Sequence, residues 1–77
     1  MKEMSLIELK EKQAAVVREI MGGGGVTMRL EALGIRPGKK ITKISSHFWQ
    51  GPVTVLVDRN KVAIGHGMAR KIMVEVI

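Results

Sequence analysis

The sequence has no cysteine and no tyrosine among its 77 residues, and Phe48 and Trp49 are its only aromatic residues. Without cysteine, neither a disulfide nor a cysteine-ligated zinc ion can reinforce the core. Proteins that bind RNA or single-stranded DNA stack the nucleic-acid bases on several aromatic side chains. Two aromatic residues therefore argue against this class of protein. No apolar run approaches the ~20 residues that cross a bilayer, and the N-terminal residues lack the apolar stretch of a signal peptide. We therefore expect one soluble, cytoplasmic domain over residues 1–77.

Positive charge is concentrated in one part of the chain. The formal net charge is +6, yet bases and acids balance within the first 20 residues, so the excess lies in residues 21–77. A basic surface of this kind can bind nucleic acid, an acidic protein or anionic lipid. It can equally serve only to keep a small domain in solution. Charge alone leaves these alternatives open.

The N-terminal fifth of the chain carries two conflicting signals. Ser5 and Glu8 have the spacing of a capping box, which predicts a helix that begins at Leu6. Apolar residues then recur at helical spacing as far as Ile20, which favours one long helix. The β-branched residues around Val16 favour a buried strand instead. Local rules do not decide between the two.

A second helix is predicted after the glycine run 22–25. Thr27 has the chemistry of its N-cap, and Leu30 and Leu33 are expected to share its buried face. Gly34 stands where a left-handed residue ends a helix, and Ile35 is placed to pack back on Leu30 as in a Schellman closure.

Turns and short apolar stretches fill the rest of the sequence. Pro37 and Gly38 predict a type II turn, because glycine accepts positive φ at the third position. Alternating apolar residues then predict strands, a turn over 58–60 and a short helix or turn over 65–71. The strands are expected over 39–46, 53–57, 61–64 and 72–76. This spacing favours a mainly β fold closed into a small barrel, since closure removes exposed sheet edges.

No pattern of catalytic or metal-binding residues emerges. The glycine run lacks the lysine of a phosphate-binding loop. His47 and His66 lie far apart in sequence, and neither has a second ligand at metal-binding spacing. We therefore expect no enzyme, no cofactor and no metal site. Three methionines are expected to fill the core or a groove: Met28, Met68 and Met73.

The adjacent aromatic residues are candidates for recognition. In extended backbone neighbouring side chains point opposite ways, so Phe48 and Trp49 cannot both enter the core. Tryptophan is enriched at binding hot spots, which makes an exposed Trp49 a candidate anchor. The alternative is that Trp49 covers one end of the barrel.

Three stretches of the sequence form a recognisable pattern: Arg29-Leu30-x-x-Leu33-Gly34-Ile35-x-Pro37-Gly38, Gly51-Pro52-Val53 and Ala63-Ile64-Gly65-x-x-Met68-Ala69-x-x-Ile72-x-Val74. Together they resemble the FeoA family, the small cytoplasmic ferrous iron transport proteins A. The resemblance spans nearly the whole chain, from Ser5 to Val76, and the first stretch is its specific part.

The resemblance implies a fold and a function. The fold would be an SH3-like β-barrel of about five strands with two or three short helices, including a helix over Leu6–Leu9 and a strand near Ala14–Ile20. The function would be that of a non-enzymatic accessory protein that binds and modulates FeoB, the membrane transporter of ferrous iron with a cytosolic G-protein domain. Whether it would act on the nucleotide cycle or hold the assembly together stays open.

The sequence departs from the family pattern at two places. Many members have Pro-Gly or Gly between the first helix and first strand, where this chain has Lys10–Gln13. Members also often carry an arginine where Gly65 stands, so no role of that base transfers here.

Candidate residues fall into two groups. We assign the motif residues to the fold, with Leu30, Leu33 and Ile35 making the contact between helix and barrel; the full set is Arg29, Leu30, Leu33, Gly34, Ile35, Pro37 and Gly38. We assign a partner-binding face to the aromatic pair and a basic rim, comprising Phe48, Trp49, Arg36, Lys39, Lys40 and Lys43.

Two other functions remain as alternatives. A basic SH3-like module could bind nucleic acid or accompany a metal-dependent repressor, since the same fold forms the C-terminal domain of the diphtheria toxin repressor family. The second alternative is that this chain binds a metal ion itself. It would then have to form a dimer, in which a second chain supplies further ligands beside His47 or His66. The sequence does not predict an oligomeric state.

Overall fold

The computed structural model describes residues 3–46 and 51–77, in which strands and short helices alternate along the chain. The helices are a 3₁₀ turn (Leu6–Glu8), α1 (Gly24–Ala32) and α2 (His66–Ala69). The strands are β1 (Glu3–Ser5), β2 (Ala14–Ile20), β3 (Lys40–Ser46), β4 (Val53–Val57), β5 (Asn60–Ile64) and β6 (Ile72–Val76). The predicted mainly β fold with short helices is confirmed.

All six strands belong to one antiparallel sheet in the order β1-β6-β2-β3-β4-β5. The sequence predicted about five strands, and β1 is the one it missed, because three residues are too few to show alternation. Within the described residues the hydrogen-bonded sheet ends at β1 and β5. The inward faces of the strands nonetheless share one core.

That core is made almost entirely of aliphatic side chains. Every strand except β1 contributes to it, and α1, α2 and the 3₁₀ turn contribute one side chain each. The connecting segments add Leu9 and Ile35. Inward residues alternate along the strands, as in β4, where Val53, Val55 and Val57 are buried. The remaining core residues are Leu6, Leu9, Ala15, Val17, Leu30, Ile35, Ile41, Ile64, Ala69, Ile72 and Val74. None of the helices in 3–46 and 51–77 is long and apolar enough to span a membrane.

The ambiguous N-terminal segment forms a short turn followed by a strand. The capping box is confirmed: the Ser5 N–H donates to Glu8 Oε1 at 2.9 Å, and Ser5 Oγ accepts from the Ile7 N–H at 3.4 Å. The helix begins at Leu6 as predicted but ends at Glu8. A long helix is wrong because β2 pairs with both β6 and β3, which buries Ala15 completely. The strand that the family resemblance implied is confirmed.

A tight turn over Lys10–Gln13 replaces the glycine turn expected of the family. The Gln13 N–H donates to the Lys10 carbonyl at 3.1 Å, and the Lys10 N–H donates to Gln13 Oε1 at 3.0 Å. Lys12 takes the third position with φ +70°. This left-handed conformation costs about 1–2 kcal/mol for a residue with a side chain. The departure from the family pattern therefore lies at a strained position and does not displace β2.

The start of α1 differs from the prediction. Gly23 is its N-cap, and Thr27 lies inside the helix with its hydroxyl donating to the Gly23 carbonyl at 3.4 Å. Because α1 begins at Gly24, it includes Val26, which lies one helical turn before Leu30 on the same face. Both side chains pack toward the core. Met28 points elsewhere and is 71% exposed, so its predicted role in core or groove filling is wrong.

The end of α1 confirms the Schellman closure. The Ile35 N–H donates to the Leu30 carbonyl and the Gly34 N–H to the Glu31 carbonyl, each at 2.9 Å. Gly34 has φ +89°, and Leu30 and Ile35 are fully buried. Leu33, however, is the C-cap residue and is 42% exposed, so its predicted contact with the sheet is wrong. The chain leaves the helix at this residue, and its side chain turns to solvent.

The type II turn at Pro37 and Gly38 is also confirmed. The Lys39 N–H donates to the Arg36 carbonyl at 3.1 Å, and Gly38 has φ +93°. The Gly38 N–H also donates to the Val17 carbonyl at 2.7 Å. This bond fixes the beginning of β3 beside β2.

The C-terminal predictions hold. The turn at 58–60 is a two-residue connection in which Val57 pairs with Asn60, and α2 occupies 66–69 within the predicted short helix. Ile72 and Val74 of β6 are buried and Val76 is half-buried, as the alternation predicted.

We predict that L30A lowers the free energy of unfolding by about 2–5 kcal/mol, because it leaves a cavity under α1. The matched control L33A removes the same atoms from an exposed position and should change stability by less than about 1 kcal/mol. Urea unfolding followed by circular dichroism measures both. Equal losses in the two variants would contradict the burial pattern.

We predict that K12G stabilises the protein by about 0.5–1 kcal/mol. Relief of the left-handed strain at Lys12 outweighs the added freedom of the unfolded chain. K10G places glycine in the same turn without relieving a positive φ and should be neutral or destabilising. A lower urea midpoint for K12G than for the parent protein would show that the turn is not strained.

Candidate functional site

The structure describes only part of the predicted partner-binding face. Phe48 and Trp49 lie outside the described residues. Arg36 and Lys40 are exposed on the turn into β3. Between them, Lys39 has a one-third exposed side chain whose Nζ lies 2.8 Å from Asp58 Oδ1. The fold therefore presents Arg36 and Lys40 together, with Lys39 partly neutralised by the acid beside it.

Lys43 does not belong to this surface, which corrects the prediction. Only 3% of the residue is exposed, and its ammonium donates to the Leu9 carbonyl at 2.6 Å and the Ile7 carbonyl at 3.1 Å. Its backbone binds the same segment, since its N–H donates to the Gln13 carbonyl at 3.0 Å. Lys43 thus joins β3 to the N-terminal turn and has no free face for a partner.

Two physical reasons place Lys43 inside. Strand alternation puts it on the same face as buried Ile41, a signal that was visible in the sequence but outweighed by its charge. The carbonyls it contacts belong to Ile7, inside the 3₁₀ turn, and to Leu9, its C-cap residue. The C-terminal end of a helix leaves carbonyl acceptors unsatisfied and favours a cation. Burial lowers the pKa of Lys43, and the carboxylate of Glu11 partly opposes this change.

The described residues do not assemble a metal centre. Among residues 3–46 and 51–77, no three histidine, aspartate or glutamate side chains cluster as ligands. His66 is half-buried at the first position of α2. His47 lies outside the described residues, so a metal site shared between two chains stays an untested alternative.

Sequence reasoning missed a groove beside α2. One part has a volume of about 600 Å³ and lies against Met21, Met68, Arg70 and Lys71. The adjoining part, of about 310 Å³, lies against Val26 and Arg29 and shares Met68 with the first. Its residues come from the end of β2, from α1 and from α2, so only the folded chain brings them together.

Two members of the predicted sets line this groove. Met68 was expected to fill the core or a groove, and the groove is its position. Arg29 was assigned to the fold, yet its side chain is exposed and lines the groove. Its role is therefore at the surface and not in the helix–sheet contact.

Comparison with known proteins identifies the family. A family model described as "FeoA domain" matches residues 4–76. The chain belongs to the FeoA domain family. The resemblance seen in the sequence is confirmed, and it accounts for the mainly β fold with an SH3-like arrangement.

Individual relatives agree with this assignment. A curated protein of Methanocaldococcus jannaschii named "Putative Fe(2+) transport protein A" is 39% identical over 66 residues, covering 86% of this chain and 78% of that protein. The crystal structure of an iron uptake regulatory protein (FeoA) superposes with a TM-score of 0.90 at 28% identity, covering 100% of both chains. Sequence and fold thus both agree that this is an FeoA-domain protein.

A second kind of neighbour shares only the fold. The apo form of the manganese-activated repressor ScaR superposes with a TM-score of 0.87 at 24% identity. The match covers 96% of this chain but 35% of the repressor. This FeoA domain therefore corresponds to about a third of that repressor.

We predict that K43M lowers the free energy of unfolding by about 1–3 kcal/mol, because two carbonyls lose their donor. K40M makes the same change at an exposed position of the same strand and should stay within about 0.5 kcal/mol of the parent protein. Urea unfolding near neutral pH compares them. A K43M protein as stable as K40M would show that the two hydrogen bonds contribute nothing.

We also predict a pH dependence that K43M abolishes. Since the folded pKa of Lys43 lies below the ordinary value of 10.5, the unfolded chain binds more protons between those two values. Stability contributed by this site therefore rises with pH through that window. The difference in unfolding free energy between the parent protein and K43M should widen as the pH rises from neutral toward 10.5. A difference that stays constant would contradict the buried ammonium.

Proposed function

We propose that this FeoA-domain protein is a cytoplasmic, non-enzymatic accessory protein of ferrous iron uptake. It binds and modulates an FeoB-type membrane transporter that carries a cytosolic G-protein domain. The observation that carries the proposal is the match to an FeoA crystal structure over the full length of both chains. The curated relative's name, which refers to Fe(2+) transport, supports the same physiological setting.

The repressor alternative is less well supported. Only about a third of the ScaR chain corresponds to this domain, so DNA recognition by the rest of that protein does not transfer. The longest helix of the described residues, α1, exposes Arg29 but also the acid Glu31. A recognition helix in the major groove presents several bases or amides instead. Nucleic-acid binding therefore stays the second candidate, favoured only by the net charge.

A binding role suits the polar groups of the domain better than catalysis does. Lys43 is the one buried charged side chain of the described residues, and two backbone carbonyls occupy its ammonium. Arg36 is exposed at the first position of the type II turn, and Lys40 is exposed as the first residue of β3. Both can pair with an acidic protein surface.

For the partner-binding face we propose the aromatic pair together with the exposed part of the basic rim. Phe48 and Trp49 follow β3, and Arg36, Lys39 and Lys40 precede or begin it. Tryptophan and arginine are the residues most enriched at binding hot spots. Lys43 is no longer part of this set.

We predict that an FeoB-type transporter in detergent shifts or broadens the single indole N–H signal of Trp49 in nitrogen-labelled protein. The affinity should weaken less than about tenfold between 50 and 200 mM salt, because an aromatic-centred interface depends little on counterion release. Duplex DNA titrated under the same conditions provides the comparison. W49A should bind the transporter at least about tenfold more weakly, as expected for a hot spot.

Two results would contradict the proposal. If the transporter leaves every signal of the protein unchanged at saturating concentration, the two proteins are not partners. If DNA shifts the signals of Lys39 and Lys40 and salt abolishes those shifts, the nucleic-acid function replaces the one proposed. A folded W49A protein with unchanged affinity would remove only the aromatic part of the partner-binding face.

A further inference from the structure

The groove beside α2 has an apolar floor built from flexible side chains. Met21, half exposed, and half-buried Met68 lie in its larger part, and half-buried Val26 lies in the smaller. Methionine is unbranched and polarisable, so it adapts to different apolar groups and is common at binding surfaces. The floor therefore suits an apolar side chain of a partner.

The rim of the same groove carries positive charge only. Arg29 lies on the side of α1, and Arg70 and Lys71 follow α2. All three are exposed, and none forms an ion pair within the described part of the chain, where the two ion pairs are Arg18–Glu75 and Lys39–Asp58. Among residues 3–46 and 51–77, no acidic residue lines the groove. Its charge is therefore complementary to an acidic ligand.

The walls are open because glycines form part of them. A Cβ atom built on Gly25, Gly65 or Gly67 would have no heavy atom within 4 Å. An approaching chain can consequently lie close to the backbone on this side of α2. The same space allows a side chain to be introduced there without disturbing the fold.

We propose that this groove binds an acidic peptide segment through an apolar anchor, with the anchor on Met21 and Met68 and the carboxylates beside Arg29, Arg70 and Lys71. None of residues 36–40 lines this groove. It does not depend on the proposed function, and its test uses no transporter.

A peptide fits the groove better than a nucleic acid does. The groove is lined by apolar side chains as well as by basic ones, and a phosphate backbone would leave the apolar side chains uncovered. A peptide with alternating acidic and apolar residues satisfies both parts at once. Duplex DNA is therefore an outcome to be distinguished by experiment.

The test uses a synthetic peptide, acetyl-EDLLEDLLED-amide, titrated into protein labelled with carbon-13 at its methionine methyl groups and with nitrogen-15. We expect the Met21 and Met68 methyl signals and the Gly67 amide to shift, with a Kd below about 1 mM. The peptide acetyl-EDSSEDSSED-amide keeps the charge but lacks the anchor, and it should bind at least about tenfold more weakly.

Charge reversal with a matched control shows whether the peptide binds in the groove or is held by general electrostatic attraction to a basic protein. R29E/R70E and R36E/K40E both lower the formal net charge from +6 to +2. The first pair should raise the Kd for the peptide about tenfold or more, and the second by less than about threefold. Amide spectra of both variants report whether they remain folded.

A variant that fills the groove with a side chain tests peptide binding independently if charge reversal disturbs folding. G67Q places a side chain in the groove and should abolish the methyl shifts. G23Q introduces the same side chain at another open glycine that does not line the groove, and it should bind the peptide normally.

Three results would overturn the proposal. The first is the absence of methionine methyl shifts at 2 mM peptide, which is about twice the expected upper limit of Kd. The second is an equal loss of affinity in the two charge-reversal variants. The third is a shift of the groove signals by duplex DNA but not by the peptide, which would assign the groove to a phosphate backbone.

Discussion

The fold depends on how the chain passes from α1 into β3. Gly34 at φ +89° ends the helix so that Leu30 and Ile35 can both be buried, and Gly38 at φ +93° turns the chain so that its N–H reaches the Val17 carbonyl. A residue with a side chain would be strained at either position. Because β3 lies between β2 and β4, this connection sets the register of the central sheet. The FeoA motif is therefore first of all a geometric requirement, and the exposed side chains of Arg29 and Leu33 are free for other roles.

Lys43 shows how a polar group became part of the core. Its ammonium satisfies the carbonyls of Ile7 and Leu9, which attaches the N-terminal segment to β3 in addition to the apolar packing of Leu6 and Leu9. A domain of this size buries only a modest apolar area. The free energy lost when a buried carbonyl has no donor is therefore a large fraction of its stability. The same contact removes Lys43 from the surface charge and leaves Arg36 and Lys40 as the exposed bases of the turn.

Local chemistry made much of the fold predictable. The capping box, the Schellman closure, the type II turn and the alternating strands each follow from residues within about six positions of one another, and each is confirmed. Local rules did not suffice where tertiary contacts decide. They left β2 open between helix and strand, and it is a strand because two neighbours pair with it. Lys43 was wrongly assigned to the surface, and it is buried because carbonyls distant in sequence lie beside it. The groove beside α2 was invisible for the same reason, since Met21, Arg29 and Met68 meet only after folding.

The most direct test of the central claim, that this FeoA-domain protein binds an FeoB-type transporter, is amide hydrogen exchange of the full chain with and without the transporter in detergent. The account predicts slower exchange at surface amides of residues 36–40 and 47–50. Amides of the sheet core, which are already protected, should not change. Exchange that is identical at every amide with saturating, folded transporter would contradict the claim.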